Sequence, residues 1–233
     1  MEICLLEDNQ PEFFPDPRLS DNHGLVAVSR GLGLTRLVAA YRKGIFPWMK
    51  MNKAPYFWCW YSPNPRMVLY PKEFKVSRSL KTALLDKRFE IRVNQAFLEV
   101  MRACANVPRP GQESSWIEDE MLVDYGKLHD QGVAHSIEAY QQKELVGGLY
   151  GLTVGKVFFG ESMFHYQPEA SKVCMAKLVE FSIHAGFQFI DCQVPNPFLK
   201  SIGAREIRRD EFLDQLKLGC DQITTSFKWP EKS

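Results

Sequence analysis

The sequence predicts an α+β fold in which a mixed β-sheet carries a packed helix. Residues 135–140, 145–154 and 157–163 are rich in β-branched and aromatic side chains and are separated by short polar or glycine-containing turns, a pattern typical of antiparallel strands. Residues 171–185 follow with a helical pattern, and residues 187–193 return to an apolar strand. Strands around a helix in this order predict one mixed sheet covered by that helix.

The central helix is predicted to be buried around most of its circumference. Lys177, Glu180 and His184 share one polar face, and apolar side chains occupy most of the remaining positions. Gly186 comes directly after the pattern, where glycine commonly ends a helix. The helix is therefore expected to pack on the sheet with most of its surface buried.

The N-terminal part predicts a smaller set of elements. Residues 34–43 form a helical pattern with Tyr41 on its apolar side, and Gly44 ends it. Trp48 is expected at the tip of an apolar loop, and residues 67–70 have a strand pattern.

The middle of the chain predicts a strand and two helices. Residues 89–93 are the strand, and residues 94–104 form an amphipathic helix with Asn94 as its N-cap. A helix is expected to open at residues 114–117, with acidic residues in its first turn that favour the helix dipole. Near the C-terminus, residues 210–218 predict a last helix.

Composition narrows the classes of function. Lys and Arg total 29 against 28 for Asp and Glu, so a polyanion would have to bind a local patch. The acidic N-terminus does not resemble a signal peptide, and no apolar run approaches the ~18–20 residues of a membrane span. Six cysteines without a C-x-x-C pair predict reduced thiols, no metal site and a cytoplasmic location.

A local basic segment is present at residues 71–88, which contain six basic and two acidic residues. Arg78 and Lys81 are three residues apart and would share a helix face. The segment is either an ordinary solvated face or a surface that contacts phosphates.

Three polar residues at strand ends could carry chemistry. Asp191 and Gln193 are two apart on a predicted strand, so we expect their side chains on one face and Cys192 on the other. They are either a satisfied structural pair or an amide oriented by a carboxylate. Glu161 is expected at a strand end, as an exposed carboxylate or a recognition charge.

Two tryptophans are further candidates. Trp48 and Trp116 are either core residues or platforms that stack a base.

Taken together, a series of short motifs resembles the leucyl/phenylalanyl-tRNA–protein transferases of bacteria along almost the whole chain. The motifs are Gly44-Ile-Phe-Pro-Trp48, Trp60-Tyr-Ser-Pro-Asn-Pro-Arg66, Ser77-Arg-Ser79, Trp116-Ile117, His135-Ser-Ile-Glu138, Glu144-Leu-Val-Gly-Gly148, Gly160-Glu-Ser-Met-Phe164, Ala170-Ser-Lys172 and Ile190-Asp-Cys-Gln-Val194. The resemblance implies a small N-terminal α/β domain at residues 1–66. It also implies a domain like the GCN5-related N-acetyltransferases at residues 67–233.

The resemblance also implies an activity and roles for residues. Such enzymes move Leu or Phe, and less well Met, from aminoacyl-tRNA to proteins that begin with Arg or Lys, which creates an N-terminal degron. They need no cofactor. The implied roles are catalysis by Asp191 and Gln193, acceptor binding by Glu161, an aminoacyl pocket of Leu149, Phe158, Leu178 and Ile190, adenine stacking by Trp48 and Trp116, and tRNA phosphate contacts by Arg78, Lys81, Lys87 and Arg88.

Two other functions compete with this interpretation. An acetyl-CoA-dependent acetyltransferase would need glycine-rich backbone at the start of the central helix, but residues 164–171 contain no glycine and include Glu169. A non-catalytic tRNA-binding module would leave Asp191 and Gln193 as structural residues.

Two proton paths remain open for a catalyst. The proton could pass by way of Gln193 and Asp191 or through a ribose hydroxyl of the tRNA. A monomer is expected, because the chain has no heptad seam.

Overall fold

The computed structural model describes residues 3–21, 23–51, 54–107, 117–220 and 229. Within these residues the chain forms two β-sheets and seven α-helices, so the predicted α+β class is confirmed. The strands are β1 Cys4–Leu5, β2 Leu25–Ser29, β3 Phe46–Lys50, β4 Trp58–Tyr61, β5 Arg66–Leu69, β6 Glu90–Val93, β7 Ala134–Gln141, β8 Glu144–Val154, β9 Val157–His165, β10 Phe189–Gln193 and β11 Arg205–Ile207. The helices are α1 Leu34–Arg42, α2 Arg78–Leu85, α3 Phe97–Asn106, α4 Asp119–Asp130, α5 Ala170–Ala185, α6 Pro197–Ser201 and α7 Arg209–Cys220.

The smaller sheet has four strands in the order β1-β2-β4-β3. β1 pairs with β2 in parallel, and β4 pairs antiparallel with both β2 and β3. Trp58 and Trp60 on β4 are fully buried. Two large aromatic side chains in the middle of the sheet provide the apolar area that a sheet this small needs.

The larger sheet has seven strands in the order β11-β5-β10-β9-β8-β7-β6. Among its described strands, β9 and β10 are the parallel pair, and the other neighbours are antiparallel. Parallel neighbours need a crossover, and α5 supplies it between them. α5 packs on one face of the sheet, where it lies mainly over β7, β8 and β9.

Side chains on the two faces of the larger sheet enter two apolar clusters. Along β8, β9 and β10, Leu149, Phe158 and Ile190 point to the α5 side, whereas Tyr150 and Phe159 point to the side of α3, α4 and α7. This alternation follows from the pleat of a β-strand. The cluster on the second side also contains Trp58 and Trp60, so the smaller sheet packs into the same core.

The structure confirms the predicted helices at 34–43, 171–185 and 210–218 and the predicted central strands, with small shifts at their ends. Gly186 has a φ of 66°, as expected of a glycine that ends a helix. Residues 114–116 lie outside the described residues, and the described helix α4 begins at Asp119. β5 already belongs to the larger sheet, and the boundary at residue 66 stays a prediction.

Two local predictions are wrong. Trp48 does not lie at a loop tip, because Phe46–Lys50 pairs with β4 as the edge strand β3. Asn94 is not an N-cap, because α3 begins later, with Ala96 at the cap position. Asn94 has a φ of 59° and its Oδ1 accepts from the Ser136 backbone N–H at 3.1 Å. Its side chain is therefore used to join β6 to β7.

All six cysteines are free thiols, and none pairs with another. No helix in the described part of the chain combines the length and the apolar character that crossing a bilayer requires.

Candidate active site

A cavity of ≈ 270 Å³ lies between the larger sheet and α5. Leu149, Phe158 and Ile190 line it from strands β8, β9 and β10, and Leu178 lines it from α5. These four side chains are the ones named from the sequence as an aminoacyl pocket, and the structure brings them together. Because all four side chains are hydrocarbon, this part of the cavity is apolar, which suits a large aliphatic or aromatic side chain.

Glu161 and Gln193 contribute polar groups to the lining of the same cavity. Gln193 Nε2 donates to Glu161 Oε1 at 2.7 Å, and each residue is only 8% exposed. Glu161 was expected at a strand end, but β9 continues to His165 and lies between β8 and β10. Glu161 is therefore an interior carboxylate, and the alternative of an exposed edge residue is wrong.

Two buried tyrosines complete the hydrogen bonds of Glu161. The Tyr41 hydroxyl on α1 donates to Oε1 at 2.8 Å, and the Tyr125 hydroxyl on α4 lies 3.4 Å from Oε2. The two hydroxyl oxygens are themselves 2.5 Å apart. Because a buried carboxylate is costly without partners, these contacts allow Glu161 to lie in the core.

Burial shifts the titration of this group of side chains. It raises the pKa of Glu161 to about 7, with a smaller contribution from the negative charge of Asp191. Hydrogen bonds from Tyr41, Gln193 and Tyr125 oppose that rise. Burial also raises the pKa of both tyrosines well above the usual value, so both remain protonated donors at neutral pH. Glu161 is thus a carboxyl group that changes its charge near pH 7.

Asp191 is held by a different set of partners. Its oxygens accept from Arg66 Nε at 2.9 Å and Nη2 at 2.6 Å, and both residues are fully buried. The Arg66 guanidinium also lies over the rings of Phe46 and Phe212, at 4.9 and 4.4 Å. A bidentate pair between two aromatic faces fixes both charges in position.

The link between Asp191 and Gln193 is not the one that the sequence suggested. Asp191 Oδ1 accepts from the backbone N–H of Gln193 at 2.9 Å, whereas the Gln193 side-chain amide is oriented by Glu161. The strand pairing is irregular between the two residues, and Gln193 has a φ of 63°. This bulge breaks the expected alternation, so Cys192 lines the cavity and Asp191 does not.

The structure leaves the predicted adenine platform incompletely described. Trp48 is partly exposed on the edge strand β3, and its ring meets Tyr61 edge to face at 5.2 Å. Trp116 lies outside the described residues. The stacking roles of both therefore stay predictions.

The four predicted phosphate contacts all lie on the surface. Arg78 and Lys81 are exposed on α2, and Lys87 and Arg88 are exposed just after it. Arg88 has a weak contact with Asp86 at 3.9 Å. The side chains are accessible to a polyanion, and the phosphate role stays a prediction.

The start of α5 is unsuited to a pyrophosphate group. Glu169 occupies its N-cap position, and its carboxylate pairs with Lys172 Nζ at 2.8 Å. An acidic side chain at the place where a helix binds anions argues against acetyl-CoA. Within the described residues, no three His, Cys, Asp or Glu side chains come together as a metal site.

Sequence reasoning missed Tyr41, Tyr125 and the role of Arg66. Tyr41 was recognised on the apolar side of its helix, and a buried tyrosine hydroxyl needs a partner, which was a usable signal. Arg66 ends one of the motifs that carry the resemblance, but no local pattern indicates its pairing with a residue 125 positions away.

Comparisons with known proteins identify the family of this chain. A family model described as leucyl/phenylalanyl-tRNA protein transferase matches residues 68–217, and the model of that family's N-terminal domain matches residues 32–64. The leucyl/phenylalanyl-tRNA–protein transferase of Dechloromonas aromatica is 48% identical over 207 residues, which is 88% of this chain and 87% of the relative. The enzyme of that name from Myxococcus xanthus is 45% identical over 231 residues, or 99% and 97% of the two chains.

Among solved structures, FemX is similar with a TM-score of 0.46 and 10% identity, covering 82% of this chain and 74% of FemX. A GCN5-related N-acetyltransferase-like protein from Streptococcus suis is similar with a TM-score of 0.36 and 11% identity, covering 78% and 68%. The two family models and the full-length relatives settle the assignment: the chain belongs to the leucyl/phenylalanyl-tRNA–protein transferase family and is a tRNA-dependent aminoacyltransferase.

Proposed function

We propose that this enzyme moves Leu or Phe, and less well Met, from aminoacyl-tRNA to the α-amine of proteins that begin with Arg or Lys. The product then carries an N-terminal degron. The observation that supports this most is that apolar side chains and the Glu161–Gln193 pair line one cavity together. We further propose that the enzyme acts in the cytoplasm as a monomer.

The apolar walls suit a donor that is selected by size. Leu149, Phe158, Leu178 and Ile190 offer the aminoacyl side chain no hydrogen bond. Such a pocket discriminates by only about 1–3 kcal/mol per methylene. This is consistent with an enzyme that accepts several large apolar residues.

Gln193 would orient the reacting amine. Its Nε2 is engaged by Glu161, which leaves the amide oxygen to accept a hydrogen bond from the acceptor α-amine. That amine attacks the ester carbonyl carbon, the new amide bond forms, and the bond to the ribose oxygen breaks. The amine proton ends on the ribose oxygen, either through Gln193 or through the neighbouring ribose hydroxyl. Because the ester is already activated, positioning supplies most of the catalysis.

Glu161 would recognise the cation of the acceptor. A carboxyl group with a pKa of about 7 is ionised more completely when a positive charge approaches it. An N-terminal Arg or Lys supplies that charge in its side chain. Binding of the acceptor would then fix Glu161 in the charged form that also holds Gln193.

Asp191 would act on the reaction through other groups. It does not line the cavity, and it holds Arg66 and the backbone of Gln193. We therefore propose that Asp191, predicted from the sequence as catalytic, is a positioning residue for Gln193.

The tRNA would lie across the surface outside the cavity. We propose that Trp48 and Trp116 stack on its terminal adenine, where base stacking contributes roughly 1–3 kcal/mol per base. Arg78, Lys81, Lys87 and Arg88 would contact phosphates of the acceptor stem. Their exposure on and after α2 supports this role.

The test is the transfer of radiolabelled Leu from Leu-tRNA to two matched acceptor proteins that differ only in an N-terminal Arg or Ser. We expect transfer to the first and none to the second. Equal transfer to both would refute the proposed acceptor specificity. Bound tRNA without any transfer would favour the non-catalytic binding module.

A further inference from the structure

Trp229 lies near the C-terminus and packs against three aromatic rings. It stacks on His135 with ring centroids 4.3 Å apart and planes 15° from parallel. It meets Phe158 at 5.8 Å and Phe181 edge to face at 5.6 Å. Aromatic contacts at such distances are specific in geometry as well as apolar.

The three partners belong to different elements, two strands of the larger sheet and the helix that packs on it. His135 lies on β7, Phe158 on β9 and Phe181 on α5, so Trp229 fills the space between the sheet and the helix. Burial, with a smaller contribution from His129, lowers the pKa of His135 to about 3. His135 is therefore neutral at physiological pH and offers Trp229 a flat uncharged ring.

Trp229 and the helix before it lie on opposite faces of the larger sheet. Phe212 and Leu216 of α7 belong to the cluster on the α3 side. Trp229 packs against the cluster that contains Leu149, Phe158, Leu178 and Ile190. Trp229 thus contacts the apolar cluster that contains the cavity-lining side chains.

Phe158 connects Trp229 to the cavity, because its fully buried ring touches Trp229 and also lines the cavity. The ring lies close over Gly151, where a Cβ atom would stand 2.6 Å from Phe158 Cε1. The sheet backbone therefore supports the ring on one side, and Trp229 supports it on another.

Phe158 and the polar pair line the cavity at separate points. Glu161 follows it by three positions on β9, a distance of about 10 Å along a strand. A donor whose ester lies beside Glu161 and Gln193 would point its side chain toward Phe158. The position of the Phe158 ring therefore limits the length of side chain that fits.

We propose that Trp229 is a specificity-determining residue that sets the depth of the aminoacyl pocket by holding Phe158 in place. The proposal rests on the proposed function, because it takes this cavity as the site of the donor side chain. Removal of the indole gives the Phe158 ring room to move away, and the pocket becomes deeper. Leu then fills the pocket poorly, whereas Phe gains space.

The test compares kcat/KM for Phe-tRNA and Leu-tRNA in the wild type, Trp229→Ala and Trp229→Phe. We expect the Phe to Leu ratio to rise about tenfold in Trp229→Ala, in the range known for one methylene in an apolar pocket. We expect a smaller rise in the same direction in Trp229→Phe, which retains a ring and serves if the Ala variant does not fold. Leu218→Ala, an exposed apolar position on α7, is the matched control and should leave the ratio unchanged.

A second measurement removes turnover from the comparison. The affinities of non-hydrolysable Phe-adenosine and Leu-adenosine with a 3′-amide linkage should change in the same ratio as kcat/KM. Equal loss with both donors in folded variants would overturn the proposal and make Trp229 a purely structural residue. A wild type that transfers neither amino acid would overturn the proposed function as well.

Discussion

Two buried carboxylates on neighbouring strands hydrogen-bond to Gln193, and they are held in opposite ways. Asp191 on β10 is paired with the Arg66 guanidinium and binds the backbone of Gln193. Glu161 on β9 has neutral partners, namely Tyr41, Tyr125 and the side-chain amide of Gln193. Asp191 is therefore a compensated charge inside the protein, and Glu161 is a charge without a cation.

The different partners of Asp191 and Glu161 suit the first carboxylate to a structural role and the second to binding a substrate. A bidentate arginine keeps its carboxylate charged and immobile, which suits the support of a strained bulge. Neutral donors leave the Glu161 carboxyl able to gain or lose a proton near pH 7, and its place in the cavity wall lets a substrate cation reach it. We propose that Asp191 supports the fold and that Glu161 binds the acceptor.

The largest effect is expected from removal of the cation beside Asp191. Arg66→Met leaves a buried charge without its partner and should lower the free energy of unfolding by about 3–5 kcal/mol. Urea unfolding measures the loss. The double variant Arg66→Met/Asp191→Leu should recover much of it, because two apolar side chains replace the pair. A loss below about 1 kcal/mol in the single variant would contradict the structural assignment.

The next prediction concerns Gln193, whose side chain should matter for activity and whose backbone conformation should matter for stability. Gln193→Gly removes the amide and should reduce transfer by about 10²-fold, the size seen when a single preorganised group is lost. The same change relieves a φ of 63°, which costs a non-glycine residue about 1–2 kcal/mol. Stability measured by thermal unfolding should therefore hold or rise while activity falls. A parallel loss of both would indicate that the amide mainly stabilises the fold.

A smaller effect on transfer is expected from Glu161→Gln, which keeps the shape but not the charge. Transfer to an acceptor beginning with Arg should fall by about tenfold, since a hydrogen bond to a charged group contributes about 1.5–3 kcal/mol. Transfer kinetics measured with Arg and Lys acceptors check this. An unchanged rate with both acceptors would remove Glu161 from acceptor recognition.

The same variant gives a distinct pH signature in stability. Because the folded-state pKa of Glu161 is raised from 4.5 to about 7, the folded protein binds more protons than the unfolded chain in that interval. This group therefore makes the wild type less stable as pH rises from about 4.5 to 7. Glu161→Gln should lose that component of the slope in urea unfolding. A slope identical to the wild type would contradict the raised pKa.

The smallest effect is expected at the exposed cations of α2. Lys81→Ala should weaken tRNA binding a few-fold and reduce the slope of log K against log salt by about 1. Lys217→Ala, an exposed cation on α7, is the control and should leave the slope unchanged. Equal slopes for the wild type and Lys81→Ala would place the tRNA phosphates elsewhere.

Much of the fold could be predicted because local patterns agree with the final packing. The alternation in β7–β9, the helical period of α5 and the stop at Gly186 are all local signals. The predictions that were wrong concern positions whose conformation depends on residues far away in the sequence. Asn94 has the chemistry of an N-cap, but the backbone N–H of Ala96 lies 3.4 Å from Glu138 Oε1 on the neighbouring strand, which leaves Asn94 to bind Ser136.

The site residues were found by family resemblance, but their contacts could not be. Spacing along a regular strand predicts that Asp191 and Gln193 face the same way, and the bulge between them depends on β5 and Arg66. Likewise, the tyrosines that hold Glu161 come from α1 and α4, far away in the sequence. Periodicity describes one element at a time, whereas these hydrogen bonds join five.

The most direct test of the division between the two carboxylates is single-turnover transfer of Leu to an Arg-leading peptide by Gln193→Ala and Asp191→Asn. Both variants are assayed at a temperature at which urea unfolding shows that they are folded. The account predicts a loss of roughly 10²-fold for Gln193→Ala and roughly tenfold or less for folded Asp191→Asn. A folded Asp191→Asn enzyme that loses as much as Gln193→Ala would place Asp191 in the chemistry itself and contradict the account.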